Sequence, residues 1–209
     1  MHRYWSFWLI VVCVAVFFLQ VTVDSFTDQM VLVSADVWSH PWTLVTSMFA
    51  HADFNHLFSN MFALFLFGVV LESIIDGKKF LAIYFLAGIV ASLVTLPFYP
   101  ATLGASGAIF GILGCLAVLR PHMVVYVSYV PMPMILAAFV WVLIDAFGVF
   151  MPTGTANWAH LAGIAVGLIA GLKLRSEFRE LTEPRRAPPK IPEKEMRNWE
   201  NRWLIGRRA

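Results

Sequence analysis

Charge is scarce in this chain. Lys, Arg, Asp and Glu together make up 13% of its 209 residues, where a soluble domain carries roughly 25%. That shortfall excludes an ordinary water-facing surface over most of the molecule. Cysteine is scarce too: Cys13 and Cys115 each lie inside an apolar run, which argues against a disulfide framework or zinc site and marks both as small buried residues. The sequence has no metal-ligand pattern and no phosphate-cradling glycine loop, so neither a metal nor a cofactor is expected. The net charge of +2 is small. Its basic residues are segregated along the chain, and a membrane topology explains that segregation better than nucleic acid does.

Hydrophobic residues, at 59%, are what the chain has in excess. A spanning helix needs about 20 mostly apolar residues. Six runs qualify as candidates: Trp5–Val23, His56–Ile75, Phe80–Phe98, Ser106–Leu119, Pro133–Phe150 and Trp158–Leu174. The fold class read from them is an all-α polytopic membrane protein with six transmembrane helices. The first run is too long for a signal-peptide core and lacks a small-x-small cleavage site, so it reads as a helix in preference to a cleaved signal. Before the fifth run, the β-branched and aromatic segment Val124–Pro131 suits extended backbone, and Pro131 and Pro133 favour a break there.

Lysine and arginine orient the spans. Arg3 precedes span one, Lys78 and Lys79 separate spans two and three, and Arg120 follows span four. The remaining basic residues begin at Lys173, at the end of span six, while the connections Asp24–Asn55, Pro100–Ala105 and Met151–Asn157 have none. Six spans with both termini cytoplasmic satisfy this pattern. The long first connection contains Trp38 and Trp42, which favour an interface, so it is expected partly in the outer leaflet; a plain extracellular loop is the alternative. The membrane domain is read as residues 1–174 and a basic tail as 175–209. Within the tail, Pro188, Pro189 and Pro192 break any continuous helix. Met196, Trp199, Trp203 and Leu204 beyond them fit either a short helix on lipid headgroups or a disordered segment.

Polar residues inside spans are costly and mark functional candidates. His56 and Asn60 open span two, Ser106 opens span four, and His160 lies in the first turn of span six. All three spans run from outside to inside, which collects these side chains in one outer layer within about 8 Å of depth. A serine, a histidine and further hydrogen-bond donors at one level are the components of acyl transfer: nucleophile, general base and oxyanion stabilisers. Gly163, Gly167 and Gly171 in span six, with Gly107, Gly111 and Gly114 in span four, permit close helix approach. Glycine stripes also occur in bundles without catalysis.

Three of these segments resemble motifs of the rhomboid family. Gly104-Ala105-Ser106-Gly107-Ala108-Ile109-Phe110-Gly111 is similar to its nucleophile motif, Ala159-His160-Leu161-Ala162-Gly163 to its histidine motif, and His56-Leu57-Phe58-Ser59-Asn60 to its His-x-x-x-Asn motif. The resemblance covers about residues 5–174 and the minimal six-helix prokaryotic form. It implies an intramembrane serine endopeptidase in a prokaryotic plasma membrane, acting on transmembrane protein substrates near the outer face, with lipid around it and no cofactor. Ser106 would be the nucleophile and His160 the general base. The Ser106 N–H, His56 and Asn60 would stabilise the oxyanion. A dyad is implied, so Asp145 in span five is expected to be a structural helix residue, with orientation of His160 as the alternative. Glu72, with Gly68, is expected in a structural pairing, and His51 in loop packing. Two positions depart from the family pattern: Thr43 follows Trp42 where many members have arginine, and Phe110 stands where some carry a tyrosine stacked on the histidine. An inactive client-binding relative and a small transporter are the competing classes; a transporter would place its polar groups near the midplane.

Overall fold

A computed structural model describes residues 4–151, 154–182 and 192–205. Six long helices dominate it: α1 (Trp5–Thr22), α2 (Phe54–Ile74), α3 (Gly77–Thr95), α4 (Ser106–Leu119), α5 (Met134–Gly148) and α6 (Asn157–Thr182). Each expected apolar run is helical, with ends within three residues of the expectation except at the end of α6. There the helix continues past Leu174 to Thr182, because the segment after Leu174 stays rich in helix-forming residues after its apolar character ends. Among the described residues, α1, α2, α3 and Asn157–Glu177 of α6 are long and apolar enough to cross a membrane; α4 and α5 are shorter apolar helices. Their outward faces carry large apolar side chains, such as Phe7, Trp8 and Phe18 on α1 and Phe139, Ile144 and Phe147 on α5. Hydrocarbon tolerates such a surface and water does not.

Helix α4 is the buried centre. From Gly107 to Leu119 only Phe110 and Val118 escape full burial. Its 14 residues span about 21 Å, and its side chains meet other helices more than solvent. Small residues allow this on two sides. A Cβ on Gly107 would lie 2.5 Å from the Ala91 Cβ of α3. Toward α6, a Cβ on Gly163 would overlap the Gly107 carbonyl oxygen and lie 3.0 Å from its carbon. The two helices therefore touch backbone to backbone, the close approach expected from their glycine spacing.

Helix α2 starts at the N-cap Asp53, whose carboxylate accepts the His56 N–H at 2.8 Å. It contains one π-helical stretch, Leu64–Gly68. Near its other end, buried Glu72 accepts hydrogen bonds from the Trp5 N–H (2.6 Å), the Ser6 N–H (2.9 Å) and the Ser6 hydroxyl (2.8 Å). Glu72 thus caps the amino end of α1, where a carboxylate also meets the positive pole of the helix. The structural pairing read for this residue is what the structure contains.

The connections are more ordered than their composition suggests. In the first, β1 (Leu32–Val33) pairs antiparallel with β2 (Ala101–Thr102). The Ser34 N–H donates to the Pro100 carbonyl at 3.0 Å. Trp38 and Trp42 are exposed, but Met48 is buried against Gly88 of α3 and belongs to the core. Thr43 is buried with its hydroxyl donating to the His40 carbonyl at 2.7 Å, so the loop anchors itself locally where the family pattern has arginine. Gln20 of α1 brackets His51, accepting its N–H at 3.0 Å and donating to its carbonyl at 3.2 Å. The extended segment before α5 is a hairpin, β3 (Val124–Val127) and β4 (Val130–Pro133), turning through Ser128 and Tyr129, both at positive φ.

The chain divides into two compact units, Met1–Phe178 and Arg179–Ala209. In the second, the helix Glu193–Glu200 leads into a π-helical turn, and Met196, Trp199 and Trp203 are exposed. The basic and proline-rich stretch containing Arg185, Arg186, Pro188 and Pro189 lies outside the described residues, as do Arg3, Arg207 and Arg208.

Candidate active site

Ser106 is the first residue of α4, preceded by Ala105 at the N-cap. As an opening residue it has no intrahelical acceptor for its N–H, and the helix dipole adds positive potential there. The approach to it is fixed by Gly104, at φ +121°, whose N–H donates to the Ser47 carbonyl at 2.9 Å. Only glycine suits this backbone, and only glycine leaves room for the neighbour: a Cβ here would sit 2.7 Å from His56 Cε1 and 2.8 Å from its Nε2. The loop before the serine and the His56 ring are thus in direct contact.

His56 and Asn60 stand one turn apart at the start of α2. The Ala52 N–H donates to His56 Nδ1 at 3.4 Å. An accepting Nδ1 leaves the proton on Nε2, the nitrogen beside Gly104, so His56 is a donor at that edge. Asn60 is buried and gives one amide hydrogen to the His56 carbonyl at 2.8 Å. Its amide group is held in place by that bond and has a second N–H to give.

His51 packs edge-on against the His56 ring at a centroid distance of 5.1 Å. Its Nδ1 shares a 3.2 Å hydrogen bond with the Phe49 carbonyl, and its Nε2 is buried without a partner among the described residues. Burial first, and then the neighbouring His56, push its pKa down to about 4, partly offset by the Phe49 carbonyl. His51 is neutral at pH 7 and supports the loop.

His160 lies in the first turn of α6. The Phe110 ring of α4 covers one face of its imidazole, with centroids 4.0 Å apart and planes 7° apart. Phenylalanine therefore supplies the stack that tyrosine gives in some rhomboids. The edge of the ring is held as well: Nδ1 lies 2.9 Å from Asp145 Oδ1, with the side chains 12% and 6% exposed respectively. Asp145, expected to be a structural helix residue with orientation of His160 as the alternative, is thus in direct contact with that ring. The α5–α6 junction makes the contact possible, since a Cβ on Gly148 would lie 2.6 Å from the Asn157 side chain.

Ser106, His160, His56 and Asn60 all line one cavity of about 730 Å³, together with Asp53 and Asn157. The four candidate residues from three helices are brought to one place. Ser106 and His160 are not hydrogen-bonded to each other here; among the described residues the imidazole's hydrogen-bond partner is Asp145. Catalytic hydrogen bonds are often long without substrate and tighten when it binds. What depth along the spans did not show was the lateral contact between Asp145 and His160.

A family model described as the rhomboid domain matches residues 38–177. The chain belongs to the rhomboid family. It is accordingly an integral, multi-pass membrane protein with a helical rhomboid fold. Among curated rhomboids, it is 32% identical over 161 residues to "Rhomboid protein 1, mitochondrial" of Saccharomyces cerevisiae, covering 70% of this chain and 45% of that one. It is 32% identical over 139 residues to "Rhomboid protease GluP" of Bacillus subtilis, covering 64% and 26%. With "RHOMBOID-like protein 1" of Arabidopsis thaliana it shares 30% identity over 132 residues, covering 62% and 33%. The matched region spans less than half the length of these rhomboid relatives.

Proposed function

We propose that this rhomboid is an intramembrane serine endopeptidase that hydrolyses transmembrane substrates near the outer membrane face through Ser106 and His160. The observation that carries the reading is the convergence of Ser106, His160, His56 and Asn60 on one cavity. Ser106 Oγ attacks the scissile carbonyl while His160 Nε2 takes its proton. His160 then returns that proton to the leaving amine, and a water, activated the same way, releases the acyl group. Negative charge on the carbonyl oxygen meets the Ser106 N–H, the His56 Nε2–H and the second Asn60 N–H. Each donor of this kind is worth about 3–4 kcal/mol in acyl transfer.

In this reading residues 1–174 form a six-span membrane domain in a prokaryotic plasma membrane, with both termini cytoplasmic and 175–209 as the tail. Hydrolysis needs water, so the site sits at the outer ends of the helices, where the cavity is also lined by the Ala101–Leu103 loop. A transmembrane substrate must unwind locally to present its carbonyl, which favours segments weakened by Gly, Pro or β-branched residues.

The test is cleavage of a purified single-span reporter in detergent. Wild type should cut it, and Ser106→Ala and His160→Ala should each abolish the product while the protein stays monodisperse. Cleavage that persists in both variants would reject the assignment.

A further inference from the structure

We propose that the β3–β4 hairpin is a membrane anchor. It lies at the boundary between headgroups and acyl chains in the leaflet away from the Ser106 cavity, with the Tyr126 and Tyr129 rings set against lipid.

The hairpin joins the end of α4 to the start of α5, so it stands at the opposite end of α4 from Ser106. Both helices are short, at 14 and 15 residues. They rise about 21–23 Å against a hydrocarbon core of about 30 Å, so neither crosses the apolar layer alone. The chain between them stays apolar. From Met123 to Met134 every residue is aliphatic, aromatic, methionine or proline except Ser128, and no Lys, Arg, Asp or Glu occurs between Arg120 and Asp145.

The pairing register gives this hairpin two apolar faces. Val125 is buried in the core and lies opposite Met132, which packs against the same cluster. On the other face Val124 lies opposite Pro133 and Tyr126 opposite Pro131, and all four are exposed. An antiparallel pair with one face in water alternates apolar with polar residues; this one does not. Its outward face leads directly into Ile135, Leu136 and Phe139, exposed on the first turns of α5, where the surface of this multi-pass protein meets lipid.

At the tip, Tyr129 has φ 69° and is 97% exposed. A two-residue hairpin turn favours glycine at that position, and a bulky side chain rarely adopts such backbone. A ring that exposed contributes little to packing within the chain, so its role lies outside it, and tyrosine favours the headgroup level.

The open edge sets the depth. The Met134 N–H donates to the Met123 carbonyl at 2.8 Å, and by antiparallel alternation residues 124, 126, 131 and 133 turn their backbone groups outward. On β4 those positions are prolines without an N–H, which closes that edge to another strand. On β3 the Val124 and Tyr126 N–H groups have no partner at that edge among the described residues. Hydrocarbon would leave these amides unpaired, and bulk water would leave the apolar face uncovered. The headgroup boundary satisfies both requirements, with water and phosphate or ester oxygens for the amides and acyl chains for the side chains.

The experiment uses full-length chains carrying Tyr126→Cys, Tyr129→Cys or Lys78→Cys, each labelled with an environment-sensitive fluorophore in vesicles of phosphatidylcholine and phosphatidylglycerol. The native thiols, Cys13 and Cys115, are buried, and the unsubstituted chain measures their background. Lys78 is exposed at the same end of the bundle as the hairpin, because α3 and α4 pack antiparallel, Gly107 against Ala91 and Gly111 against Ala87. With iodide on both sides of the vesicle, the probes at 126 and 129 should be quenched about fivefold less than the probe at 78. Lipid bearing a nitroxide near its headgroup should quench them more strongly than lipid bearing one at the chain end. Each position is read by itself, so loss of one variant leaves the other decisive. Iodide quenching at 126 and 129 equal to that at 78 would place the hairpin in water and overturn the proposal. Stronger quenching from the chain end would overturn the assigned depth. Protection from iodide that fades as lipid is added per protein would assign the surface to a second copy of the chain and overturn the proposal equally.

Discussion

Replacing Gly163 by alanine should separate α4 from α6 at the level of the site. A Cβ built there lies 3.0 Å from the Gly107 carbonyl carbon and overlaps its oxygen. Carbon pairs rest at about 3.5–4.0 Å, so the carbon alone requires the helices to part by about 0.5–1 Å. Gly163 is one turn below His160, and Gly107 follows Ser106 directly. The displacement is therefore passed to the two reacting side chains almost undiminished. A misplacement of about 1 Å can cost on the order of 100-fold in rate, and overpacking of this kind costs about 1–3 kcal/mol of stability. Initial rates on the single-span reporter, measured beside thermal unfolding, separate the two effects. A Gly163→Ala protein that retains wild-type kcat would show that the backbone contact does not set the Ser106–His160 geometry.

Three further outcomes follow from individual contacts. Glu72→Gln removes the charge that accepts three hydrogen bonds at the start of α1; it should cost about 1–3 kcal/mol, seen as a lower thermal midpoint with kcat preserved in the folded fraction. Phe110→Ala removes the face-on stack against His160 and, at about 0.5–1.5 kcal/mol for such a pair, should lower kcat roughly 2- to 12-fold, whereas Phe110→Tyr should keep it. His51, with its pKa pushed down to about 4 by burial, binds a proton more readily unfolded than folded. Its contribution is therefore intact above its unfolded pKa and is lost as pH falls from about 6.5 toward 4, by about 3 kcal/mol at most. His51→Asn keeps a donor for the Phe49 carbonyl and should flatten the fall of thermal midpoint between pH 7 and pH 4.5; an unchanged slope would contradict the linkage.

Much of this molecule is legible in its apolar runs because a bilayer imposes one length and one polarity on every spanning helix. The run Ser106–Leu119 matches α4 at both ends, since Gly104 at positive φ precedes it and Arg120-Pro121 follow it. Helix α6 outruns the expected span for a physical reason. Apolarity stops near Leu174 where the lipid requirement stops, whereas helix formation continues through Lys173-Leu174-Arg175-Ser176-Glu177 and on to Thr182. The pairing of Leu32 with Thr102 had no local signal, because two-residue strands seventy positions apart carry no period. The π stretch at Leu64–Gly68 was equally silent, since Leu-Phe-Leu-Phe-Gly suits an ordinary helical turn.

The site was legible in part. Depth along the spans placed Ser106, His160, His56 and Asn60 in one layer, and the cavity gathers all four. Lateral position was not available from depth, because rotation of a helix about its axis depends on packing. The contact of Asp145 with His160 is of this lateral kind; its structural role is read from the dyad that the family resemblance implies. The two residues are fifteen apart in sequence and lie on different helices, α5 and α6.

The central claim is that His160 activates Ser106 within a single cavity, and covalent labelling reads that activation without any assumption about substrate. Purified protein treated with a fluorophosphonate should carry the adduct on the peptide containing Ser106, by mass spectrometry, and the His160→Ala protein should carry little or none. Labelling that occurs elsewhere, or that proceeds equally without His160, would contradict the account.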